Sequence, residues 1–361
     1  MDTASPRTLL RRLRAKDLVV ASLLAAGAVQ LCLGDGAGPI RRESASQRTA
    51  AQAGSGWSMR MVADAAPQPL VDAVAPPGYA PGSTERTVFD AINEARARGN
   101  FGLLAQDTRL DAAAARHADY MAKNLGGAIS HRQDPRQPGF TGETPLERVR
   151  ASGYETAMGL EAISSGANAP ACLELLNTVY HLGVLMIGAT DVGIAVHPGA
   201  GCVIEPQLPG TQPRMQARRA GTLGVYPYPG QAGVPSAFMP ATESPNPAPD
   251  LGDAVVGPPV LVDLNSEAAG GLAASAVVLS RFALTEAASG LSVPARVLGS
   301  RSAAAAPGAP IELRVDRKLA SAGHVFLLPL ATLKPSTTYA VEFAGSADGI
   351  AVSRRWEFTT R

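Results

Sequence analysis

Between Thr84 and Leu208 the apolar positions follow first one period and then another. In TERTVFDAINEARARGN, Val88, Phe89, Ile92 and Ala95 fall on one helical face, and Gly99 is a natural stop. In DTRLDAAAARHADYMAKNLGG, Leu110, Ala114, His117 and Met121 form one stripe, Asp107 suits the N-cap, and Gly126 and Gly127 lie past the end. TPLERVRASGY opens with helix-start chemistry. Thr144 caps, Pro145 takes the first helical position, Glu147 completes a capping box, and Gly153 stops the helix. The spacing in PACLELLNTVYHLGVLM predicts a further helix from about Pro170 to Met186, with Leu173, Leu176, Tyr180 and Val184 facing a core. DVGIAVHPGAGCVIEPQL then reads as two short strands joined by a Pro-Gly-Ala-Gly turn. Helices followed by strands predict an α+β domain over residues 85–210.

Residues 211–221, TQPRMQARRAG, are polar and basic and read as a linker. Beyond them strand-length apolar runs alternate with turn signals (TLGVYPYPG, PPVLVDLN, SAVVLSRFALTEA, LSVPARVLG, HVFLLPL, TTYAVEFAG, SRRWEFTT) with no helix of useful length between them. That pattern predicts a β-sandwich of about seven strands over residues 222–361, with Trp356 pointing inward from the last strand. Upstream, residues 39–84 are rich in Ala, Gly, Ser, Pro and Gln without a period, as in a flexible spacer. Residues 1–38 have the layout of an export leader: RTLLRRLRAK, then the uncharged Leu18–Gly34, then the small residues Gly34 to Gly38 where cleavage would fall. The competing reading is an uncleaved N-terminal anchor, the chain's one route to a membrane. Leu31 before Cys32 argues against a lipoprotein, and Arg14-Ala15 after Arg11-Arg12 argues against a twin-arginine signal.

Composition refines this. A hydrophobic share of 46% over 361 residues supports a sizeable core. The formal charge of +1 hides an asymmetry, because seven basic residues crowd the first 42 positions. No Lys/Arg run follows them, which excludes nucleic acid as a partner class. Cys32 would leave with the leader, so Cys172 and Cys202 remain as an even number for an oxidising compartment. A bond between them would contribute roughly 3–4 kcal/mol through the loop it closes; the other reading is two buried thiols.

The turn-rich run SHRQDPRQPGFTGETP holds His131 between two helices, and its last residues are already helix-start chemistry. On the helix predicted over Pro170–Met186, Glu174, Thr178 and His181 are spaced to share a polar stripe beside the apolar one. Such a stripe either lines a cleft or is a solvated edge. His117 sits among packing residues, His197 closes a strand before Pro198, and His324 lies in the β-rich region.

Taken in order, AINEARARGNFGLLAQDTRLDAAAARHADYMAKN, the histidine of SHRQDP, GFTGETPLERVRASGY, GLEAIS, and LNTVYHLGVLM before DVGIAV resemble the CAP superfamily of cysteine-rich secretory, antigen 5 and pathogenesis-related proteins. The resemblance covers about residues 86–200. It implies an α-β-α sandwich with a cleft where two histidines and two glutamates converge. On that pattern His131 matches the first histidine, Glu161 the glutamate of a Gly-Glu-Asn motif into which Leu160 intrudes, and His181 the second histidine. Glu174 lies on the helix that carries the fourth position, whereas bacterial members place a small hydroxyl three residues before the histidine, here Thr178; they also commonly follow that histidine with arginine, here Leu182. His131, Glu161 and His181 are then either ligands of a Zn²⁺ with one open position or the lining of a polar pocket without metal. Neither HExxH nor GxSxG is present, and neither late cysteine has the setting of a nucleophile. The preferred expectation is therefore a secreted or envelope-associated ligand-binding module rather than an enzyme, taking a small molecule or lipid, or an envelope component or protein partner. The alternative is a metal-dependent hydrolase of peptides or cell-wall material, and a third reading is a purely structural network. YPYPGQAGVPSAF and LKPSTTYAVEFAGSADGIAVSRRWEFTT resemble bacterial Ig-like domains of surface proteins, which implies a spacer or adhesive module.

Overall fold

The computed structural model describes residues 68–212, 214–267, 274 and 276–361, and the backbone of the short strand Val29–Leu31. All of the expected export leader but Val29–Leu31, and most of the spacer expected over residues 39–84, therefore lie outside the described residues.

Five helices build the first half. Helix α1, Thr84–Arg98, starts at Ser83, whose hydroxyl accepts from the Arg86 amide, and buries Val88, Phe89, Ile92 and Ala95. Helix α2, Thr108–Asn124, is capped by Asp107 and buries the predicted stripe of Leu110, Ala114, His117 and Met121. Helix α3, Pro145–Ala151, carries the expected capping box of Thr144 and Glu147. The long helix expected from Pro170 to Met186 is instead three pieces. Helix α4, Ala169–Leu173, runs into a 3-10 turn over Glu174–Asn177, and helix α5, Val179–Met186, restarts after Thr178. Thr178 is extended, with φ −114° and ψ 166°, so Glu174, Thr178 and His181 do not share a helical stripe.

The hairpin Asp191–His197 with Gly201–Gln207 forms as predicted, with Ile194 opposite Ile204. It is the centre of a sheet ordered Glu243–Ser244, Val29–Leu31, Ala162–Ser164, Gly201–Gln207, Asp191–His197, Ala105–Gln106. Side-chain alternation divides this sheet between two layers. Ile163, Ala195 and Val203 pack with Ala114, Ala118 and Met121 of α2, while Ala162, Ile194, Cys202 and Ile204 join the core of α1 and α5. This is an α-β-α sandwich. The disulfide Cys172–Cys202, with Cα atoms 5.7 Å apart, ties α4 to the hairpin.

The second half is β-rich. One five-stranded sheet runs Leu313–Val315, Ala295–Gly299, His324–Pro329, Val260–Asp263, Gly224–Tyr226; the other runs Ala303–Ala305, Val277–Glu286, Thr338–Ala347, Ile350–Thr360, Gln231–Val234. Val260, Val262, Val325 and Leu327 of the first sheet meet Phe282, Leu284, Phe343, Trp356 and Phe358 of the second. The other face of the first sheet is equally apolar. Leu261, Leu298, Phe326 and Leu328 belong to the same core as α1 and α5. All eight residues of α5 are buried, which explains why its sequence is apolar on every side. Two glycines permit the approach. A Cβ on Gly99 would stand 2.5 Å from the Val225 carbonyl oxygen, and one on Gly183 would stand 3.2 Å from His324 Nδ1.

Residues on either side of the helical domain are engaged as well. Gln68–Pro69 pairs with Gln216–Ala217, and the Arg218 guanidinium meets the Asp263 carboxylate at 2.5 Å with both groups buried.

One core shared by both halves predicts a single cooperative unfolding transition for the full chain in scanning calorimetry. Gly183→Leu, which drives a side chain toward His324 and Phe326, is expected to lower stability by about 1–3 kcal/mol by overpacking. Two resolved transitions in the wild type would show instead that the halves fold independently.

Candidate functional site

His131 is carried by the loop after α2, and that loop is fastened from several sides. The Gln133 amide donates to the Glu143 carbonyl oxygen at 3.1 Å, the Asp134 amide to the Tyr120 hydroxyl at 2.8 Å, and the Thr141 amide to the Gln133 side-chain oxygen at 2.8 Å. His117, expected only to pack, fastens the loop from beneath. Its Nε2 lies 2.8 Å from the Ser130 carbonyl oxygen, and its Nδ1 takes the Gln133 side-chain amide at 2.9 Å. That pattern requires a neutral ring with the proton on Nε2. Burial lowers the His117 pKa to about 4, with the nearby Arg148 charge adding to the effect and the Glu161 charge opposing it.

Glu161 immediately precedes the strand Ala162–Ser164 and is fully buried. Its Oε1 accepts from His131 Nδ1 at 2.6 Å, and its Oε2 accepts from the Arg148 guanidinium at 2.7 Å. Arg148, on α3, also donates to the His131 carbonyl oxygen at 2.9 Å, so one guanidinium holds both the carboxylate and the backbone of its histidine partner. Burial alone would raise the Glu161 pKa, but Arg148, His117 and His131 outweigh it and hold the group well below the usual carboxylate range. Beside it lies Glu205, on a strand whose seven residues are all buried. Burial, and then the Glu161 charge, push the Glu205 pKa well above its ordinary value. The Glu161 and Gln207 side chains lie close to the Glu205 carboxyl, the first favouring its protonated form and the second opposing it.

His181 stands in the first turn of α5, its ring 6.5 Å from that of His131 and inclined by 20°. Its Nδ1 lies 3.0 Å from Oε1 of Glu243, a residue of the later, β-rich half. The same carboxylate caps α5, accepting from the backbone amides of Val179 at 2.9 Å, Tyr180 at 2.7 Å and His181 at 3.2 Å. Thr178 Oγ1 lies 3.3 Å from His181 Nδ1 and donates to the Leu175 carbonyl oxygen at 3.0 Å.

The structure thus brings together His131, Glu161, His181 and Thr178 of the residues expected from sequence. It does not bring in Glu174, whose carboxylate meets Arg361 at 3.1 Å at the edge of a cleft between the two halves. Sequence reasoning missed Arg148, Glu205 and Glu243. A charge inside CVIEPQ, a run otherwise suited to a buried strand, was a readable signal for Glu205. So was the arginine next to Val149 on the buried side of α3 for Arg148. No local signal could reveal Glu243, which reaches the site from 62 residues beyond His181.

Residues 89–202 match the family model of the cysteine-rich secretory protein family, CAP. This stretch of the chain is a CAP domain, and it contains His131, Glu161 and His181, whereas Glu243 lies outside it. Nothing among curated proteins or solved structures matches the chain.

His131, Glu161 and His181 are the residues that a Zn²⁺ would require as ligands. Both Glu161 oxygens are already engaged, one of them by a guanidinium, and coordination would require breaking one of those contacts. Among the described residues no group of three or more His, Cys, Asp or Glu side chains is arranged to hold a metal. Glu161 as arranged is therefore not free to serve as a ligand. What they form is two histidine–carboxylate pairs, His131–Glu161 and His181–Glu243, set side by side.

The two buried glutamates impose opposite pH dependences. Glu161, with its pKa lowered in the fold, contributes stability above the ordinary carboxylate range that is lost as pH falls through its folded value. Glu205, with its pKa raised, contributes stability at acid pH that is lost as pH rises toward its folded value. Glu161→Gln is therefore expected to cost about 3–5 kcal/mol at neutral pH by leaving Arg148 buried and unpaired. Glu205→Gln is expected to cost little there and to flatten the alkaline decline. Urea unfolding of both variants between pH 4 and 9 checks this; a Glu205→Gln loss equal to that of Glu161→Gln would mean that Glu205 is ionised.

Proposed function

We propose that the chain is an exported CAP-domain protein that works outside the cytoplasm as a binding module rather than an enzyme. The carrying observation is the saturation of Glu161. A carboxylate that is fully buried and clamped by Arg148 and His131 positions its neighbours and is out of a substrate's reach as a general base. Among the described residues neither histidine has a serine or cysteine nucleophile beside it in the geometry that covalent catalysis needs; the described hydroxyl next to His181 is Thr178, already donating to a carbonyl. Export is supported by the leader-like composition of residues 1–38 and by the Cys172–Cys202 bond. Among the described residues no helix is long and apolar enough to cross a membrane. The proposed ligand is a small molecule, a lipid or an envelope component, recognised where the covering of the buried pair His131 and His181 opens. The β-rich half, Ig-like in the manner of bacterial surface proteins, braces the site through Glu243 as well as presenting it.

Mass spectrometry of material extracted from the purified full chain, with zinc measured in parallel, tests this reading. The expected result is a retained ligand that is lost in His131→Ala and in His181→Ala, with zinc far below one per chain. Zinc near one per chain in the wild type and absent in His181→Ala would overturn it in favour of a metal-dependent hydrolase.

A further inference from the structure

The edge of the CAP sheet is built with a space for one strand. Ala162–Ser164 pairs on one side with Gly201–Gln207, through Ala162 opposite Ile204 and Ser164 opposite Cys202. On its other side the partner is the backbone of Val29–Leu31, running antiparallel with Gln30 opposite Ile163. Beyond that, Val29–Leu31 pairs in parallel with Glu243–Ser244, with Val29 opposite Glu243 and Gln30 opposite Ser244. Glu243–Ser244 has no other strand partner among the described residues. Two strands flanking a third stand about 10 Å apart, twice the interstrand spacing. Their facing N–H and C=O groups ask for an extended backbone in that space and not for a side chain.

Both walls adjoin the His/Glu cluster. The inner wall begins at the residue after Glu161, which Arg148 and His131 hold. The outer wall begins with Glu243, anchored by three backbone amides of α5 and by His181. The two carboxylates tie each wall to the helical domain through contacts that do not involve the strand between them. The present occupant belongs to the segment that reads as an export leader, whose small residues Gly34 to Gly38 follow after Cys32 and Leu33. Cleavage there would carry the occupant away and leave a preformed seat.

We propose that the space between Ala162–Ser164 and Glu243–Ser244 is a binding site for one extended apolar peptide strand, filled in the intact chain by its own Val29–Leu31. The inference rests on reading the His/Glu cluster as a recognition site and assigns its ligand class: a peptide segment held through its main chain by strand addition to both walls. In place, Val29–Leu31 fills the site; displaced, it leaves the site to a segment of another protein.

Hydrogen exchange on the full chain, read by mass spectrometry, tests this with Gln30→Pro, which removes a main-chain donor and disfavours the strand. In the variant, amides within 162–164 and 243–244 are expected to exchange at least tenfold faster than in the wild type. Amides of Val341–Phe343 in the β-sandwich should be unchanged, showing that the fold is intact. A synthetic peptide with the sequence of residues 25–31, AAGAVQL, is expected to restore protection in Gln30→Pro, while a scrambled peptide does not. Equal exchange in wild type and variant would overturn the proposal, as would faster exchange that the peptide leaves unaltered. Peptide protection that persists unchanged when His131→Ala and His181→Ala are added would uphold the seat and overturn the reading of the histidines as recognition elements.

Discussion

A carboxylate with no access to water must be paired where it lies, and Glu161 is the group around which this domain is arranged. Removing an ion of that size from water costs several kcal/mol unless its partners compensate. The compensation fixes three other elements. Arg148 brings α3 against the sheet and holds the His131 carbonyl oxygen, so the loop cannot swing without leaving the guanidinium bare. His131 closes the other oxygen. His117, kept neutral by burial, holds Ser130 and Gln133 on either side of His131. A single buried charge thereby determines where the loop rests. It also explains why a turn-rich, polar segment between two helices is held as firmly as a core element.

The same electrostatics reaches across to the β-rich half. Helix α5 is buried on every side, so its first amides have no water to turn to and need an acceptor within the protein. Thr178 precedes the helix in cap position, yet its hydroxyl is committed to the Leu175 carbonyl oxygen. Glu243 satisfies three of the amides instead and places a negative charge at the positive end of the helix, beside His181. The break in the helix at Thr178 and the arrival of Glu243 are therefore two sides of one arrangement. Ending the 3-10 turn there exposes a fresh helix start inside the core, and only a carboxylate from elsewhere in the chain can satisfy it.

What could be read in advance divides along the same line. The capping box at Thr144 and Glu147, the stripe of α2 and the hairpin around Ile194 and Ile204 are local, and periodicity and cap chemistry identify them without reference to neighbours. His131, Glu161 and His181 were legible because their motifs survive in order along the chain. The helix expected from Pro170 to Met186 was misjudged because its apolar spacing suits one long helix, and nothing within those residues announces an outside acceptor. Glu174 fails for that reason. Once the helix breaks, the offset that aligned it with His181 no longer holds, and the side chain turns to Arg361. Glu243 was invisible since its role is set wholly by tertiary packing.

The shared core carries a consequence for how such a site evolves and operates. In a CAP domain standing alone, the face of α1 and α5 covered here by Leu261, Leu298, Phe326 and Leu328 would need either polar residues or another partner. In this chain the β-rich half is that partner, and one of the two carboxylates at the site belongs to it. Recognition chemistry and domain packing have become the same set of contacts, because the segment that reaches over to deliver Glu243 also forms one wall of the sheet edge. Any motion of the β-rich half relative to the helices would uncap α5 and shift His181 together. The site is therefore tied to the whole chain's stability rather than to that of the CAP stretch alone.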